Sequence, residues 1–281
     1  MIQCREILRT DHEQIVELLT RGFARNKTYW SNAMLLLTHH PTPLGYPKFG
    51  YLLEDSGTIV GVLLLIYTEV GPGNQKKIRC NLSSWYVDTD YRGMAAFLSM
   101  QATKRKGVSY FNVSPAPHTW ATLEATGFKR FATGRVIAIP ALTGSPAGAT
   151  VSGVAPDTPS GPDLAQWEIN LLADHAAYGC KSLLCEVAGT RHPFVFGVRR
   201  RYGLIPMAHL LFARSLDDFV QLAGPLGRHL ITQGYPCVVV DADAPIPALV
   251  GKFSPNRPRF YKGPPLALGD LAYSEQAIFG Y

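Results

Sequence analysis

Residues 140–162, reading P-A-L-T-G-S-P-A-G-A-T-V-S-G-V-A-P-D-T-P-S-G-P, hold five prolines and four glycines and no aromatic residue. Proline lacks an N–H donor, glycine loses the most freedom on ordering, and the stretch has little apolar surface to offset that loss. The composition predicts a linker, dividing the chain into two lobes of similar size, residues 1–139 and 163–281. At about 150 residues per domain, a length of 281 fits two lobes. With 47% hydrophobic and 17% charged residues, each lobe can build a core and disorder over most of the chain is excluded. No apolar run approaches the roughly 18 residues of a membrane span; Ile59 to Ile66 is the longest and reads as a buried strand. The N-terminus meets charge at Arg5 and Glu6 and has no signal-peptide core. Cys4, Cys80, Cys180, Cys185 and Cys237 form no C-x-x-C pair and are odd in number, which fits reduced thiols. A soluble, cytoplasmic protein without a membrane span is expected.

The net charge of +6 is unevenly placed. Residues 1–139 hold 16 basic and 10 acidic side chains, whereas residues 163–281 hold 11 and 10. An anionic ligand therefore belongs with the first lobe. Nucleic acid is the lesser candidate and no such partner is expected, because there is no basic run longer than three and no zinc or RNP pattern.

Periodicity gives the first lobe the order strand, two helices, three strands, helix, strand, helix, strand. The strands are Ile2 to Leu8, Lys48 to Leu53, Thr58 to Tyr67, Lys77 to Val87, Val108 to Val113 and Phe128 to Ala138. Helices are expected after Asp11 as N-cap, over Thr28 to Thr38, Tyr91 to Lys104 and Thr119 to Ala125. The second lobe repeats much of this in shorter form, with helices Leu164 to Ala177 and Leu216 to Thr232. Its strands are Ser182 to Val187, Phe194 to Val198, Ala208 to Ala213 and Pro236 to Asp241. The repetition suggests a degenerate internal duplication. The fold class is α/β (α+β), with a mixed, mostly antiparallel sheet flanked by helices.

Two segments of the first lobe carry chemistry. In S-S-W-Y-V-D-T-D-Y-R-G-M-A-A-F-L, residues 83–98, a strand ends at Val87 and a helix is expected to start near Tyr91-Arg92-Gly93. Unpaired N–H groups at a helix start suit a phosphate. Arg92 adds a charge-assisted pair, and Gly93, Ala95 and Ala96 admit a bulky ligand to the backbone. Arg92 also reads as a solvated arginine, with phosphate binding the stronger reading. In N-V-S-P-A-P-H-T-W-A-T-L-E-A-T-G-F-K, residues 112–129, a strand ends in polar groups and a short helix leads to Gly127-Phe128. Asn112 and Ser114 read equally as helix caps. His118 has the pKa range for proton transfer at neutral pH, but a histidine behind Pro117 also reads as a surface residue. Of Trp85 and Tyr86, which alternate along a strand, one is expected in the core and the other at a ligand pocket.

Together these residues resemble the GNAT superfamily of acyl-coenzyme A-dependent N-acyltransferases over roughly residues 2–138, and the chain resembles bacterial acyl-CoA acyltransferases. The resemblance implies two tandem GNAT-like lobes, the first binding acyl-CoA (acetyl-CoA foremost) as co-substrate without a metal. In that family the pattern R/Q-x-x-G-x-G/A wraps the pyrophosphate and the preceding strand pairs with the pantetheine arm. Arg92 matches the first position, with Ala95 and Phe97 at the two later ones. The implied cofactor residues are Ser84, Trp85, Tyr86, Val87, Arg92, Gly93, Met94, Ala95 and Ala96. Leu123 stands where the family has a tyrosine acid, so the catalytic candidates are His118, Ser114 and Asn112. The implied acceptor is an amine of a small molecule, anionic or sugar-linked, entering between the lobes. A monomer or homodimer is open. A non-catalytic acyl-CoA or anion-binding protein and a partner-binding platform are the alternatives.

The helix of the second lobe opens Ser215-Leu216-Asp217-Asp218, and two carboxylates there would repel a pyrophosphate. That lobe is expected to be acceptor-side or structural. Residues 251–265 hold four basic and three aromatic side chains and no acid, which reads as an anion site or a proline-pinned loop. Asp174 and His175 form a candidate acid/base pair or a solvated helix face. Cys180, Cys185, His192 and His209 lack the regular spacing of a zinc site. No G-x-S-x-G, Walker or H-E-x-x-H motif occurs.

Overall fold

The computed structural model describes residues 2–155, 157–201 and 205–280. The chain forms two compact units. The first comprises Met1–Val70, Lys76–Lys129 and Phe260–Pro265, and the second Gly71–Gln75, Arg130–Arg259 and Leu266–Tyr281. No helix among the described residues is long and apolar enough to cross a membrane.

In the first unit β1 (Ile2–Glu6), β2 (Gly50–Asp55), β3 (Thr58–Val70) and β4 (Lys77–Val87) pair antiparallel in sequence order. Then β5 (Ser109–Asn112) joins β4 in parallel. Phe260–Lys262, the end of β12 (Gly251–Lys262), pairs antiparallel with β5 and closes this sheet. Helices α1 (His12–Gly22) and α2 (Lys27–His39) follow β1. α3 (Ala95–Ala102) and α4 (Trp120–Ala125) flank β5 in sequence. One face of the sheet carries Leu63, Leu65, Cys80, Leu82 and Tyr110, packed with Leu98 and Ala102 of α3 and Leu123 of α4. Asp11 does not cap α1 with its side chain. Its carboxylate accepts from Leu8 N–H at 2.7 Å and from both terminal nitrogens of Arg5 at 2.7 and 2.9 Å.

The second unit contains β6 (Lys129–Ala138) from Arg130 onward, β7 (Thr150–Gly153), α5 (Gln166–Ala177), β8 (Lys181–Val187), β9 (Thr190–Arg201) and β10 (Ile205–Ala213). There follow α6 (Leu216–Thr232), β11 (Cys237–Ala242), the first part of β12, and the short α7 (Glu275–Ile278). Its strand order is β12-β6-β11-β10-β9-β8-β7, with only β10 and β11 parallel among the pairs described. Phe194, Phe196, Phe219, Leu226 and Val240 centre a core between this sheet and α6.

The expected boundaries need correction. Residues 140–162 are not a free linker but part of the second unit, although Pro156 lies outside the described residues. β7 pairs with β8, and Arg191 donates to Pro159 O at 2.7 Å. Residues 140–145 lie directly on α6, where a Cβ on Gly224 would stand 2.5 Å from the carbonyl oxygens of Thr143 and Gly144. A Cβ on Gly227 would overlap the backbone at Pro140 and Ala141. Composition missed this because the order comes from backbone docked on a small-residue stripe, not from apolar side chains within the segment. Residues 251–265 are likewise no anion loop: most of them form β12. Phe260 is fully buried, Lys262 donates to Thr103 Oγ1 at 3.1 Å, and Arg259 bonds Asp241 Oδ2 at 2.9 Å.

Asp241, on β11, is buried with Arg259 and with His209 of β10, whose Nε2 stands 3.6 Å from Asp241 Oδ2. Burial would raise the Asp241 carboxyl, but the charges of Arg259 and then His209 hold it below the ordinary carboxylate range. A carboxyl depressed in the folded state adds stability above its unfolded pKa near ~3.9, and that stability is lost as pH falls below it. Urea denaturation from pH 7 down to pH 3 should therefore show a fall below about pH 4 that is shallower in Asp241→Asn. At pH 7 that variant should be less stable by about 3–5 kcal/mol, because Arg259 is left buried without its carboxylate. Gly227→Ala should cost about 1–3 kcal/mol in the same assay, since its Cβ meets backbone that cannot yield easily.

Candidate active site

Parallel pairing of β4 and β5 covers only Arg79 with Ser109, Cys80 with Tyr110, and Asn81 with Phe111. Past that point β4 runs on to Val87, and no strand pairs with it on the β5 side among the described residues. The two strands thus form a fork. Asn81 sits at its apex with no exposed surface, donating Nδ2 to Leu82 O at 3.0 Å and Phe111 O at 3.1 Å. A single amide ties both prongs together. Nothing in the sequence distinguishes this asparagine from any other in a strand, and it escapes the motif reading.

Just beyond the apex β4 is bulged. Leu64 faces Ser83 and Val62 faces Tyr86, so Ser84 and Trp85 together oppose the single residue Leu63. Ser84 takes a left-handed φ of 51°, a conformation that a residue with a Cβ adopts at a cost. A bulge leaves a residue out of the ladder and re-aims its backbone, here on the free prong of the fork. The Oγ atoms of Ser83 and Ser84 lie 3.0 Å apart.

The bulge sends the two aromatic residues to different surroundings. Trp85 packs against the core on the α3 side, and its buried indole N–H has no hydrogen-bond partner among the described residues. Tyr86 stands beside the end of α1, 5.9 Å ring to ring from Phe23 and so close to Gly22 that a Cβ there would lie 2.6 Å from its ring. Burial first, then the Asp88 carboxylate, push the Tyr86 phenol up. Asp88 is itself paired with Arg21 of α1 at 2.7 Å.

After Val87 the chain makes a 3₁₀ turn over Thr89–Met94, and the α-helix starts only at Ala95. The expected α-helix start near Arg92 and Gly93 is therefore replaced by a 3₁₀ turn, in which the Tyr91 N–H donates to Asp88 O at 2.9 Å and the Ala95 N–H to Arg92 O. Arg92 is exposed, with no ion pair among the described residues, and a Cβ at Gly93 would meet nothing within 4 Å. Met94, Ala95 and Ala96 are half-buried. The turn thus presents an exposed guanidinium next to clear space at Gly93.

Asn112 is buried at the end of β5, and its Oδ1 accepts from Ser114 N–H at 3.1 Å, closing the turn out of the strand. Ser114 and His118 are exposed, His118 on a 3₁₀ turn ahead of α4. No described contact ties His118 to Ser84 or Asn112. Leu123 is fully buried, and Phe128 N–H returns to its carbonyl at 3.0 Å around Gly127, whose φ is +89°. The leucine side chain is part of the core.

The remaining candidates are structural. His175 is fully buried, with Nδ1 bonding Leu171 O at 2.7 Å and Nε2 accepting from Tyr273 N–H at 3.0 Å. Asp174 accepts from Tyr273 Oη at 2.6 Å, so this pair anchors the chain near Tyr273 and is neither an acid/base couple nor a solvated face. Among the described residues no three His, Cys, Asp or Glu side chains gather as metal ligands. Cys185 is in the core, and Cys180 donates to Ala277 O.

No protein-family model matches the sequence, and no curated protein matches it. Solved structures do. A GCN5-related N-acetyltransferase from Anabaena variabilis is similar at TM-score 0.57 and 11% identity, over 93% of this chain and 72% of that one. A putative acetyltransferase from Pyrococcus horikoshii is similar at TM-score 0.59 and 12% identity, over 97% and 93%. Eis1 from Mycobacterium abscessus is similar at TM-score 0.51 and 11% identity, over 96% and 74%. At these identities the likeness is one of fold.

Ser84→Val should lose about 1–3 kcal/mol of stability in chemical denaturation, because a β-branched residue is strained at the positive φ of the bulge. Ser84→Gly should lose none of it.

Proposed function

We propose that this chain, whose fold is that of the GCN5-related N-acetyltransferases, is an acyltransferase moving an acyl group, acetyl foremost, from acyl-CoA to an amine. The acceptor is a small molecule or sugar. The observation that carries this reading is the β4–β5 fork with a bulge on its free prong. A strand edge with unpaired N–H and C=O groups is a template for an extended partner that carries amides, and a pantetheine arm is such a partner. It would lie along Ser84, Trp85, Tyr86 and Val87, bringing the thioester to the bulge. Its pyrophosphate would meet Arg92, with Gly93, Met94, Ala95 and Ala96 lining the approach.

A backbone N–H freed by the bulge would polarise the thioester carbonyl, a stabilisation worth about 3 kcal/mol where such a donor is well placed. The neutral amine attacks the carbonyl carbon, the C–N bond forms, the C–S bond breaks, and CoA leaves as thiolate. The proton lost by the amine passes to solvent or through His118, with Ser114 and Asn112 at the mouth of the same fork.

One observation favours a second reading, a non-catalytic acyl-CoA-binding protein. Leu123 is core where the family resemblance puts a tyrosine, and His118 is exposed with no orienting hydrogen bond among the described residues. Turnover separates the two. Calorimetric titration with acetyl-CoA should give micromolar binding, weakened about a hundredfold or more by Arg92→Glu. A screen of amines and amino sugars for CoA release should then find turnover. Binding without turnover would favour the second reading, and no binding would sink both.

A further inference from the structure

The second unit contains the same fork. β9, β10, α6 and β11 follow one another as β3, β4, α3 and β5 do. β10 and β11 pair in parallel over three positions, Met207 with Cys237, Ala208 with Val238, and His209 with Val239. His209 thus holds the register position of Asn81. β10 is then bulged against β9 one step past Leu210, as β4 is against β3 just past Ser83.

The two forks differ in what lies on the free prong. Beyond His209 the edge of β10 that faces away from β9 is hydrogen-bonded by the chain itself. Ala213 N–H donates to Gly269 O at 2.9 Å, Leu271 N–H donates to Leu211 O at 2.7 Å, and Phe212 and Asp270 form an antiparallel bridge. β9 already takes the other edge, pairing Val195 with Phe212 and Phe194 with Ala213, so residues 269–271 lie on the prong that an extended ligand would need. The segment is fastened. Leu271 and Ala272 are 1% exposed, and Tyr273, at a φ of 56°, is held by Asp174 and His175 of α5. At the start of α6 the Asp218 N–H is taken by Ser215 Oγ at 3.0 Å, with the carboxylates of Asp217 and Asp218 in the first turn. That end disfavours a phosphate independently of the filled edge.

We propose that the second unit is a copy of the ligand-binding architecture whose slot is filled by residues 269–271 and closed to acyl-CoA. Three amide-bearing residues of the chain make the edge hydrogen bonds that a pantetheine arm would otherwise make. The identity of the displaced ligand rests on the acyl-CoA reading given for the first unit; the filling itself does not.

Hydrogen exchange of the full chain, read by mass spectrometry with and without acetyl-CoA, tests both parts. Peptides spanning 208–214 and 268–273 should exchange slowly in the free chain and be unchanged by acetyl-CoA, while 82–88 gains protection. Tyr273→Phe, which removes the bond to Asp174, should speed exchange in 268–273 by about tenfold. Native mass spectrometry should count at most one acetyl-CoA per chain. Fast exchange at Ala213 and Leu271 in the free chain, ligand-induced protection of 208–214, or two acetyl-CoA per chain would overturn the proposal. Slow exchange there with no protection at 82–88 would uphold the filled slot while defeating the acyl-CoA reading.

Discussion

The parallel ladder between β4 and β5 stops at Asn81 and Phe111, and the chemistry available to the first unit depends on that stop. Had it continued, the backbone groups from Leu82 to Val87 would be spent inside the sheet. Because it ends, the β5-side edge of β4 past Asn81 is unpaired by any strand among the described residues. The Asn81 amide fixes where the parting begins, since its two donors bind the carbonyls on either side of it. The bulge at Ser84 then turns the strand so that Trp85 and Tyr86 reach different layers of packing. The open strand edge and the re-aimed backbone beside it, on which the proposed acyl-CoA site rests, follow from one interrupted ladder and one strained residue.

Charge is handled differently in the two units. In the second, Arg259 and Asp241 are buried together, and Arg214 bonds the buried Glu168 at 2.6 and 2.8 Å. The first pair joins β12 to β11, and the second ties the residue after β10 to the first turn of α5. In the first, Arg92 stands exposed on the turn that follows the forked strand, beside a glycine with clear space around it. The excess of basic residues in that part of the sequence fits an anionic ligand there, though net charge alone locates no site.

Much of the fold was legible because the strongest signals are periodic. The reading found β4 from Lys77 to Val87 and α6 from Leu216 to Thr232 at their observed limits, since each is an apolar pattern ended by turn chemistry. It failed where order comes from backbone docking. Residues 140–145 rest on Gly224 and Gly227, and β12 tolerates Pro255 and Pro258 in what composition presented as a loop. The candidate site divides the same way. Ser84 to Val87 and Arg92 are candidates because a strand leading into a helix singles them out in the sequence, whereas the fork's apex at Asn81 and the left-handed φ of Ser84 leave no mark in residue type. His175 looked like chemistry because histidine often is; its two ring nitrogens are instead occupied by Leu171 and Tyr273.

The first unit takes Phe260–Pro265 from a place in the chain far beyond Lys129, the last of its earlier residues. At the roughly 5–20 residues per second of a ribosome, that final strand emerges on the order of ten seconds after the rest of its sheet. During that interval β5 has β4 on one side and a bare edge on the other. The nascent first unit is thus an unfinished sheet that must be kept from pairing with the wrong strand, and its completion is timed by synthesis of nearly all of the second.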